Sequence, residues 1–593
     1  MSKRDRSTER VRDRGDGACL VAGDRCSRHR HPCLPEPAYR DTGRYRAPTT
    51  LNGPDRQVVS VKFLLTVVVI TGMFLGLSFQ HLNTVWACVL LAISIVPVYV
   101  NVYYRLLFVK GLFLHRQDLF SSPRIEREYT ELPDLALIIP SCKEPFTVAK
   151  ITFDCAYRAR YTGVREIIVV DNSQDTGDRE FRMWKSYVES HIGLDDRVRI
   201  VFHHNTDAAG SKPGNIDLAL TVIKRSKYVV FLDIDSSLPL NAELLDIAVN
   251  KFEADPNLGV LQFHTVPTNN HFNRLSRAVA IAQHSLRIGE AIRASGGFAM
   301  FYGHNAMWRR SLLELNGSWL EHYRGNIIVT EDLLKTLGVY ANGFTSRYLN
   351  IPTGEWVPSS LKALEGMWMR WTYGGFQVLF KYFRHIASAK GLSFTQRVDL
   401  LTLLVSYAAS PLIYPAMFLW FTAFPPGQVA VMTFVINFFP PMLYAGFLWH
   451  HHGSVVRLPL IKRVWDLYSG MFLIESFISA VQIRAVVNFM VGKNQGWRIT
   501  SKAGEEKPRG LEVLLHNTLI VTIATLAIAA LIVGGWRSEL APNVVISYLV
   551  VALIPMQLLL CVIVYGGQVQ NRHETITDAT IDGLVMRRLS SSS

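Results

Sequence analysis

Two apolar runs, at about 59–80 (VSVKFLLTVVVITGMFLGLSFQ) and 84–108, stand near the start of the chain. Each is long enough to cross a hydrocarbon layer of ~30 Å at about 1.5 Å per residue. Residues 1–58 before them are rich in Arg, Asp, Gly and Pro and show no apolar period, which predicts a disordered basic tail. From 109 to 355 the pattern changes. Short β-rich apolar runs (LALIIP, EIIVVD, VRIVFHH, YVVFLDID and GVLQF) alternate with stretches of helical period. That alternation predicts a soluble domain built on a parallel sheet with helices on both faces. Long apolar runs return at about 397–423, 427–450, 515–535 and 542–567.

One further run, 466–491, carries Glu475, Gln482 and Arg484 and has basic segments on both sides, RLPLIKR and GKNQGWRITSKAGEEKPR. Positive charge stays cytosolic, so this run is expected to lie along the membrane interface rather than cross it. Two spans before the soluble domain and four after it then put the tail, the domain and both basic segments on one face. The expected organisation is a tail at 1–58, two spanning helices at 59–108, a cytosolic α/β domain at 109–355 and interfacial helices at 356–396. Two spans follow at 397–450, an interfacial helix and a loop at 451–514, two more spans at 515–567 and a cytosolic tail at 568–593.

Composition agrees with partial solution in lipid: 49% of the 593 residues are hydrophobic and 19% charged, and the mean hydropathy is +0.17. The net charge of +14 lies largely in the tail and beside apolar runs. There it sets topology and attracts anionic lipid, and nucleic-acid binding is not the expected use. The seven cysteines are odd in number, and two fall in predicted spans, which argues against a disulfide framework. Cys19, Cys26, His29, His31 and Cys33 cluster in the tail without a CxxC pair, so an ordinary basic tail is preferred to a zinc site. The charged opening residues predict no cleavable signal peptide.

The candidate chemistry falls at strand ends, where open α/β sheets bind ligands. LALIIP runs into Ser141-Cys142-Lys143-Glu144, EIIVVD ends at Asp171, and Lys212-Pro213-Gly214-Asn215 follow VRIVFHH. YVVFLDID ends in Asp233-Ile234-Asp235. Two carboxylates at that spacing point to one side of a strand and supply the hard oxygens that Mg²⁺ or Mn²⁺ takes. Glu144 and Asp171 are candidates to accept hydrogen bonds from a base and ribose. Lys212 is the candidate to reach a phosphate, and Gly214 to let backbone approach closely. No GxxxxGK[ST] occurs, so a P-loop hydrolase is unsupported. In Thr330-Glu331-Asp332, Asp332 reads equally as a general base and as an N-cap for a helix from Leu333. Met367-Trp368-Met369-Arg370-Trp371 lies in an amphipathic stretch. There Arg370 suits a pyrophosphate and Trp371 a sugar ring, or both anchor an interfacial helix.

Over roughly residues 60–567 these motifs resemble the family 2 processive glycosyltransferases, the group of bacterial cellulose, hyaluronan and chitin synthases. The resemblance implies a GT-A-type, Rossmann-like cytosolic domain inserted in an α-helical bundle of about six spanning helices. It implies that Asp171 contacts the nucleotide and that Asp233 and Asp235 hold the donor diphosphate through Mg²⁺ or Mn²⁺. Asp332 becomes the catalytic base, while Arg370 and Trp371 end a Q-x-x-R-W motif facing pyrophosphate and acceptor. Gly303, His304 and Asn305 fall near the acceptor terminus. Trp497-Arg498-Ile499-Thr500-Ser501-Lys502 is similar to a gating loop that closes over the donor, with Thr500 and Lys502 reaching it. Met367 stands where the family has glutamine, and Cys142 where an aromatic residue often packs on uracil. The short stretch after 567 leaves no room for a cyclic-di-GMP receptor domain, so control by that nucleotide is not expected.

The implied function is an inverting, processive transferase in a bacterial inner membrane, multi-pass with its catalytic domain cytosolic. It would take a UDP-sugar, UDP-glucose first, and extend and export a β-glucan, its partners being the growing glycan, the bilayer and accessory export subunits. The alternatives are a non-processive transferase acting on a lipid, a UDP-GlcNAc-using chitin- or hyaluronan-type synthase, and a transporter or scaffold with a degenerate domain. Intact carboxylates at Asp171, Asp233, Asp235 and Asp332 argue against the last.

Overall fold

The computed structural model describes residues 60–79, 84–114, 132–207, 210–240, 243–294, 299–388, 392–423, 460–495 and 556–567. Helices α1 (Val61–Phe79) and α2 (Thr84–Leu114) match the first two apolar runs. The α/β domain then follows as β1 (Leu135–Ser141), α3 (Phe146–Arg158), β2 (Arg165–Asp171), α4 (Arg179–Glu189), β3 (Val198–His204), α5 (Ser211–Val222) and β4 (Tyr228–Phe231). It continues through α6 (Leu244–Ala254), β5 (Leu258–Pro267), α7 (Arg274–Ala294), β6 (Ala306–Arg309) and α8 (Arg310–Leu315). The small hairpin β7 (His322–Tyr323) and β8 (Asn326–Ile327) leads to α9 (Glu331–Ala341) and β9 (Thr345–Glu355). Beyond the domain lie α10 (Leu361–Ser388), α11 (Phe394–Ala423), α12 (Leu460–Tyr468) and α13 (Ile474–Met490), the last two joined by a π-helical turn over Ser469–Leu473.

Seven strands form one sheet in the order β3-β2-β1-β4-β6-β5-β9. The sequence pattern predicts an all-parallel sheet, and β6 corrects it: it runs antiparallel to both β4 and β5. Its four residues carry no alternation long enough to announce a strand. A second correction concerns YVVFLDID, of which only Tyr228–Phe231 are strand. Asp233 and Asp235 therefore sit in the turn that follows, where the Asp233 amide donates to Ser236 Oγ at 3.0 Å.

Period-2 alternation divides the central strands between two cores. Leu135, Leu137, Ile139, Ile167 and Val169 pack with Phe153, Trp184 and Phe252. Ala136, Ile138, Ile168 and Val170 pack with Ile216, Phe301, Trp308 and Trp319 on the opposite face. Strands buried on both faces read as unbroken apolar runs, which is why this part of the pattern was informative.

Buried charges tie the domain to the apolar helices. Arg293 of α7 reaches Glu290 at 2.9 Å and Asp399 of α11 at 3.2 Å, and donates to Tyr104 Oη of α2 at 2.9 Å. Tyr103 of α2 also donates to Asp399. Helix α13 packs along α10, where Phe489 meets Tyr373, Phe376 and Phe380, and Arg484 pairs with Glu365.

Two described helices, Leu91–Lys110 and Val464–Met490, are long and apolar enough to cross a membrane, by length and composition only. The second contains the segment that charge flanking places at the interface, and half of its apolar window is buried within the protein. The runs at 427–450 and 515–535, most of 542–567, the cysteine and histidine tail cluster, and Thr500 and Lys502 lie outside the described residues.

Candidate functional site

Parallel pairing sets Ser141 of β1 beside Asp171 of β2, and β5 reaches Pro267 beside Glu355 of β9. Because β6 is antiparallel, its entry from Asn305 lies next to the exit of β4. These ends converge on one cavity of about 340 Å³. Glu144, Lys212, Asp233, Asp235, His304, Asp332, Arg370 and Trp371 all line it.

Lys212 lies in the first turn of α5, at the bottom of the site. Its ammonium is 2.5 Å from Asp233 Oδ1 and 3.7 Å from Glu331, and donates to the Gly303 carbonyl at 3.1 Å. Burial disfavours its charge, but Asp233 and Glu331 outweigh that and hold the lysine above its usual range. Gly303 adopts a φ of +87°, and a Cβ there would stand 3.4 Å from both Lys212 Nζ and Asp332 Oδ2. Glycine is therefore favoured by the backbone conformation, while a Cβ would sit in ordinary contact with both groups.

Thr330 precedes α9 without a side-chain cap, and Asp332 occupies its first turn. Asp332 Oδ1 accepts the Leu333 amide at 2.7 Å, a free donor of that first turn, but the helix begins at Glu331 after Thr330, which corrects the reading of an N-cap for a helix from Leu333. Oδ2 is the oxygen beside Gly303 and Lys212. Burial raises the Asp332 carboxyl, against the Leu333 amide and the charges of Lys212 and Arg370. Glu331 is more deeply enclosed. Burial pushes its carboxyl up, Lys212 opposes this and Asp332 adds to it, leaving it at about 7.

The sign for stability follows from linkage. In the unfolded chain Glu331 titrates near its usual 4.5, so its folded pKa is raised. Its contribution to stability is present below that value and is lost as pH rises through about 7. Glu331→Gln is thus expected to unfold at a higher temperature than the unaltered protein at about pH 8, the gap closing near about pH 5. A gap that is absent, or that widens toward acid, would contradict the assignment.

Asp171 and Asn305 are placed differently from the other candidates. Asp171 is 2% exposed and does not line the cavity. Its oxygens accept the Ser141 hydroxyl at 2.6 Å and the Ser173 amide at 2.8 Å, holding the two strand ends together. Asn172 and Gln174, just beyond it, do face the cavity. Asn305 is fully buried and donates to the Gly354 carbonyl at 2.9 Å. It bends the chain from Gly303 into β6. Gly214 has open space around it, whereas a Cβ on Gly210 would meet Gly214 Cα at 2.9 Å. The close approach here is between Gly210, which caps α5, and the first turns of that helix. Burial, then the charges of Asp171 and Glu144, push the Cys142 thiol up to about 11, so it faces the cavity as a neutral thiol.

Sequence reading named His304 but missed the cluster it joins on the same cavity. Arg287 of α7 pairs with Glu355 at 3.0 Å, and its guanidinium stacks 3.8 Å from the centre of the Tyr302 ring. His304 Nε2 is 3.3 Å from the same carboxylate. Burial disfavours the Glu355 charge, yet Arg287 and His304 bring its carboxyl down to about 2. The available signal was weak. The strand ending at Glu355 is interrupted by shifts of register, and Arg287 is one of five charged residues on a 21-residue helix.

Asp233 and Asp235 both face the cavity, and among the described residues no third His, Cys, Asp or Glu joins them in a metal-holding group. A pair of carboxylates suits a cation that keeps water and substrate phosphates in its other positions. The donor set fits Mg²⁺ or Mn²⁺, with Lys212 sharing Asp233.

Residues 228–449 match the sequence profile of glycosyl transferase family group 2. That segment contains Asp233, Asp235, His304, Asp332, Arg370 and Trp371, and the match supports a glycosyltransferase. Among solved structures, one similar chain is a mannosyltransferase from Pyrobaculum calidifontis in complex with GDP-Man and Mn²⁺. It has 18% identity over 69% of this chain and 99% of that one, with a TM-score of 0.41. TarS of S. aureus is similar at 14% identity over 58% and 55%, with a TM-score of 0.30. Its 1–349 fragment in complex with UDP-GlcNAc is similar at 14% over 62% and 95%, also with a TM-score of 0.30.

Proposed function

We propose that the chain is a membrane-embedded, inverting and processive glycosyltransferase that takes a UDP-sugar, UDP-glucose by preference, and extends a β-glucan. One observation carries this reading: two carboxylates for a diphosphate-bound cation, two cations of the protein, a carboxylate base and a tryptophan line a single cavity at the strand ends. Asn172, Gln174 and Glu144 are placed for the nucleoside, with Asp171 holding the loop behind them. Lys212 and Arg370 bind and neutralise the diphosphate. Mg²⁺ or Mn²⁺ on Asp233 and Asp235 would add positive charge beside the same phosphates.

Asp332 then takes the proton of the acceptor hydroxyl on Oδ2. The acceptor oxygen forms a bond to the anomeric carbon as the bond from that carbon to the diphosphate breaks, and UDP leaves. A single displacement on an α-linked donor yields a β-linkage. The raised Asp332 carboxyl favours this step, because a base with a pKa nearer the working pH is the stronger acceptor of a proton.

Trp371, with Trp368 set edge-on to it at 5.1 Å, offers an apolar face to the acceptor sugar. Membrane embedding is supported by the exposed apolar face of α1, formed by Val61, Leu65, Val68, Val69 and Met73. The six-helix bundle, the cytosolic site, the bacterial inner membrane and the gating role of Thr500 and Lys502 belong to this proposal. The non-processive alternative draws on Met367, which lines the cavity without a hydrogen-bonding group for a held chain.

The test is to incubate the full-length protein in lipid with individual UDP-sugars, measure UDP release, and digest the product with linkage-specific hydrolases. UDP-glucose is expected to give the fastest release and a long product cut only by a β-glucanase. Release without a polymer would favour the lipid-acceptor alternative, and absence of release from every UDP-sugar would overturn the proposal.

A further inference from the structure

We infer that Gln283, together with His304, forms an acceptor subsite that reads the hydroxyl groups of a sugar or similar polyol. This rests on the glycosyl-transfer reading of the cavity and adds to it a residue on α7. Gln283 is 7% exposed and lines the cavity, yet its Oε1 meets no donor among the described residues. Leaving a buried amide oxygen unmatched is costly, so such an atom in a lining side chain points to a ligand that completes it. Its surroundings are satisfied by contrast. Arg287, one turn along the same helix, is held by Glu355 and Tyr302. Asn269, on the same wall, donates to the Val357 carbonyl and accepts the Val357 amide, both at 2.8 Å.

His304 has the same unfilled character. Its Nε2 faces the Glu355 carboxylate at 3.3 Å, and a carboxylate only accepts, so that nitrogen carries the hydrogen. Nδ1, at the other side of the ring, is also buried without a partner among the described residues, and a hydroxyl group can meet it as donor or as acceptor. An unmatched amide oxygen and an unmatched ring nitrogen on one cavity call for a ligand whose groups both donate and accept hydrogen bonds. The diphosphate of a donor offers only acceptor oxygens, so the hydroxyls of a sugar are what these atoms suit, and the contrast between acceptor and donor KM distinguishes an acceptor ring from the sugar of the donor. Trp356 and Trp371 line the same cavity and supply apolar faces for the carbon side of such a ring.

The decisive variants are Gln283→Leu and the nearly isosteric Gln283→Met, made in the full-length protein. A structural glutamine would lose stability when replaced by an apolar side chain. An unmatched one is expected to keep or raise its thermal midpoint. In steady-state transfer, the KM for a β-linked gluco-disaccharide acceptor is expected to rise about tenfold, while the KM for the UDP-sugar changes less than about twofold. A second arm does not depend on turnover: tryptophan fluorescence is followed as the disaccharide alone is titrated in. If no donor is turned over but the unaltered protein binds the disaccharide and both variants bind it at least about fivefold more weakly, the subsite stands and only the proposed reaction fails. A lowered midpoint in both variants, equal affinity in all three proteins, a matching rise in donor KM, or no binding by the unaltered protein would each overturn the inference.

Discussion

Asp332→Asn is expected to lower kcat for sugar transfer by about 10²- to 10⁴-fold while donor affinity stays within a few-fold. Oδ1 already accepts the Leu333 amide at 2.7 Å, so an asparagine oxygen can keep that contact and the start of α9 intact. What disappears is the proton acceptor at the Oδ2 position, beside Gly303 and Lys212. Removing the charge also relieves Glu331, whose carboxyl is raised by burial first and by Asp332 as well. The folded protein should therefore be no less stable than before at neutral pH. Single-turnover transfer and calorimetric binding of the UDP-sugar together separate the two effects. A collapse of donor affinity with kcat little changed would make Asp332 a nucleotide ligand or a cap, and the base would have to be sought in Glu331.

Chelation, or Asp235→Asn, is expected to cost activity on a similar or larger scale, about 10³-fold or more, because electrostatic stabilisation of a departing diphosphate is usually a major catalytic contribution. The two carboxylates differ. Asp233 is bound to the Lys212 ammonium at 2.5 Å, so replacing it also releases a partly buried cation. Asp235 lies two residues on, past the buried Ile234, and replacing it leaves the pair of Lys212 and Asp233 in place. Mg²⁺ or Mn²⁺ added back should restore the chelated protein and leave Asp235→Asn impaired. A direct readout is the binding of Mn²⁺ by electron paramagnetic resonance in the presence of UDP, which the substitution should weaken. Full activity in excess chelator would remove the cation from the reading and leave Lys212 and Arg370 as the charges facing the diphosphate.

Much of the domain was legible because its central strands are buried on both faces. Leu135–Ile139 and Ile167–Val170 serve two cores at once, so their residues had to be apolar without interruption. Their polar continuations then stood out as loops. That combination located Glu144, Lys212, Asp233 and Asp235 at the edge where the cavity forms. Short elements were not legible: β6 has four residues and β9 changes register twice, and neither leaves a periodic signature. Apolar length likewise announced α1, α2 and α11, but length says nothing about what covers a helix. Val464–Met490 passes the composition test for a span and still lies against α10 through Phe489 and Arg484.

The sequence by itself determined the α/β class and the positions of the strand-end carboxylates, because alternation and burial are imposed locally, residue by residue. For Asp332, Arg370 and Trp371 the residues alone left a structural reading beside the chemical one, and the chemical one came from the resemblance to a known family. Tertiary structure alone decided which of these side chains share a cavity and which support it. Asp171 turns inward to Ser141 and Ser173, and Asn305 to Gly354, since their oxygens and amide are needed to close loops between strands that are distant in sequence. It also brought Gln283, Arg287, Tyr302 and Glu355 to the site from a helix, a loop and a strand end. Their pairing depends on the parallel packing of β5 beside β9 and on the seating of α7 over that edge, which no local pattern encodes.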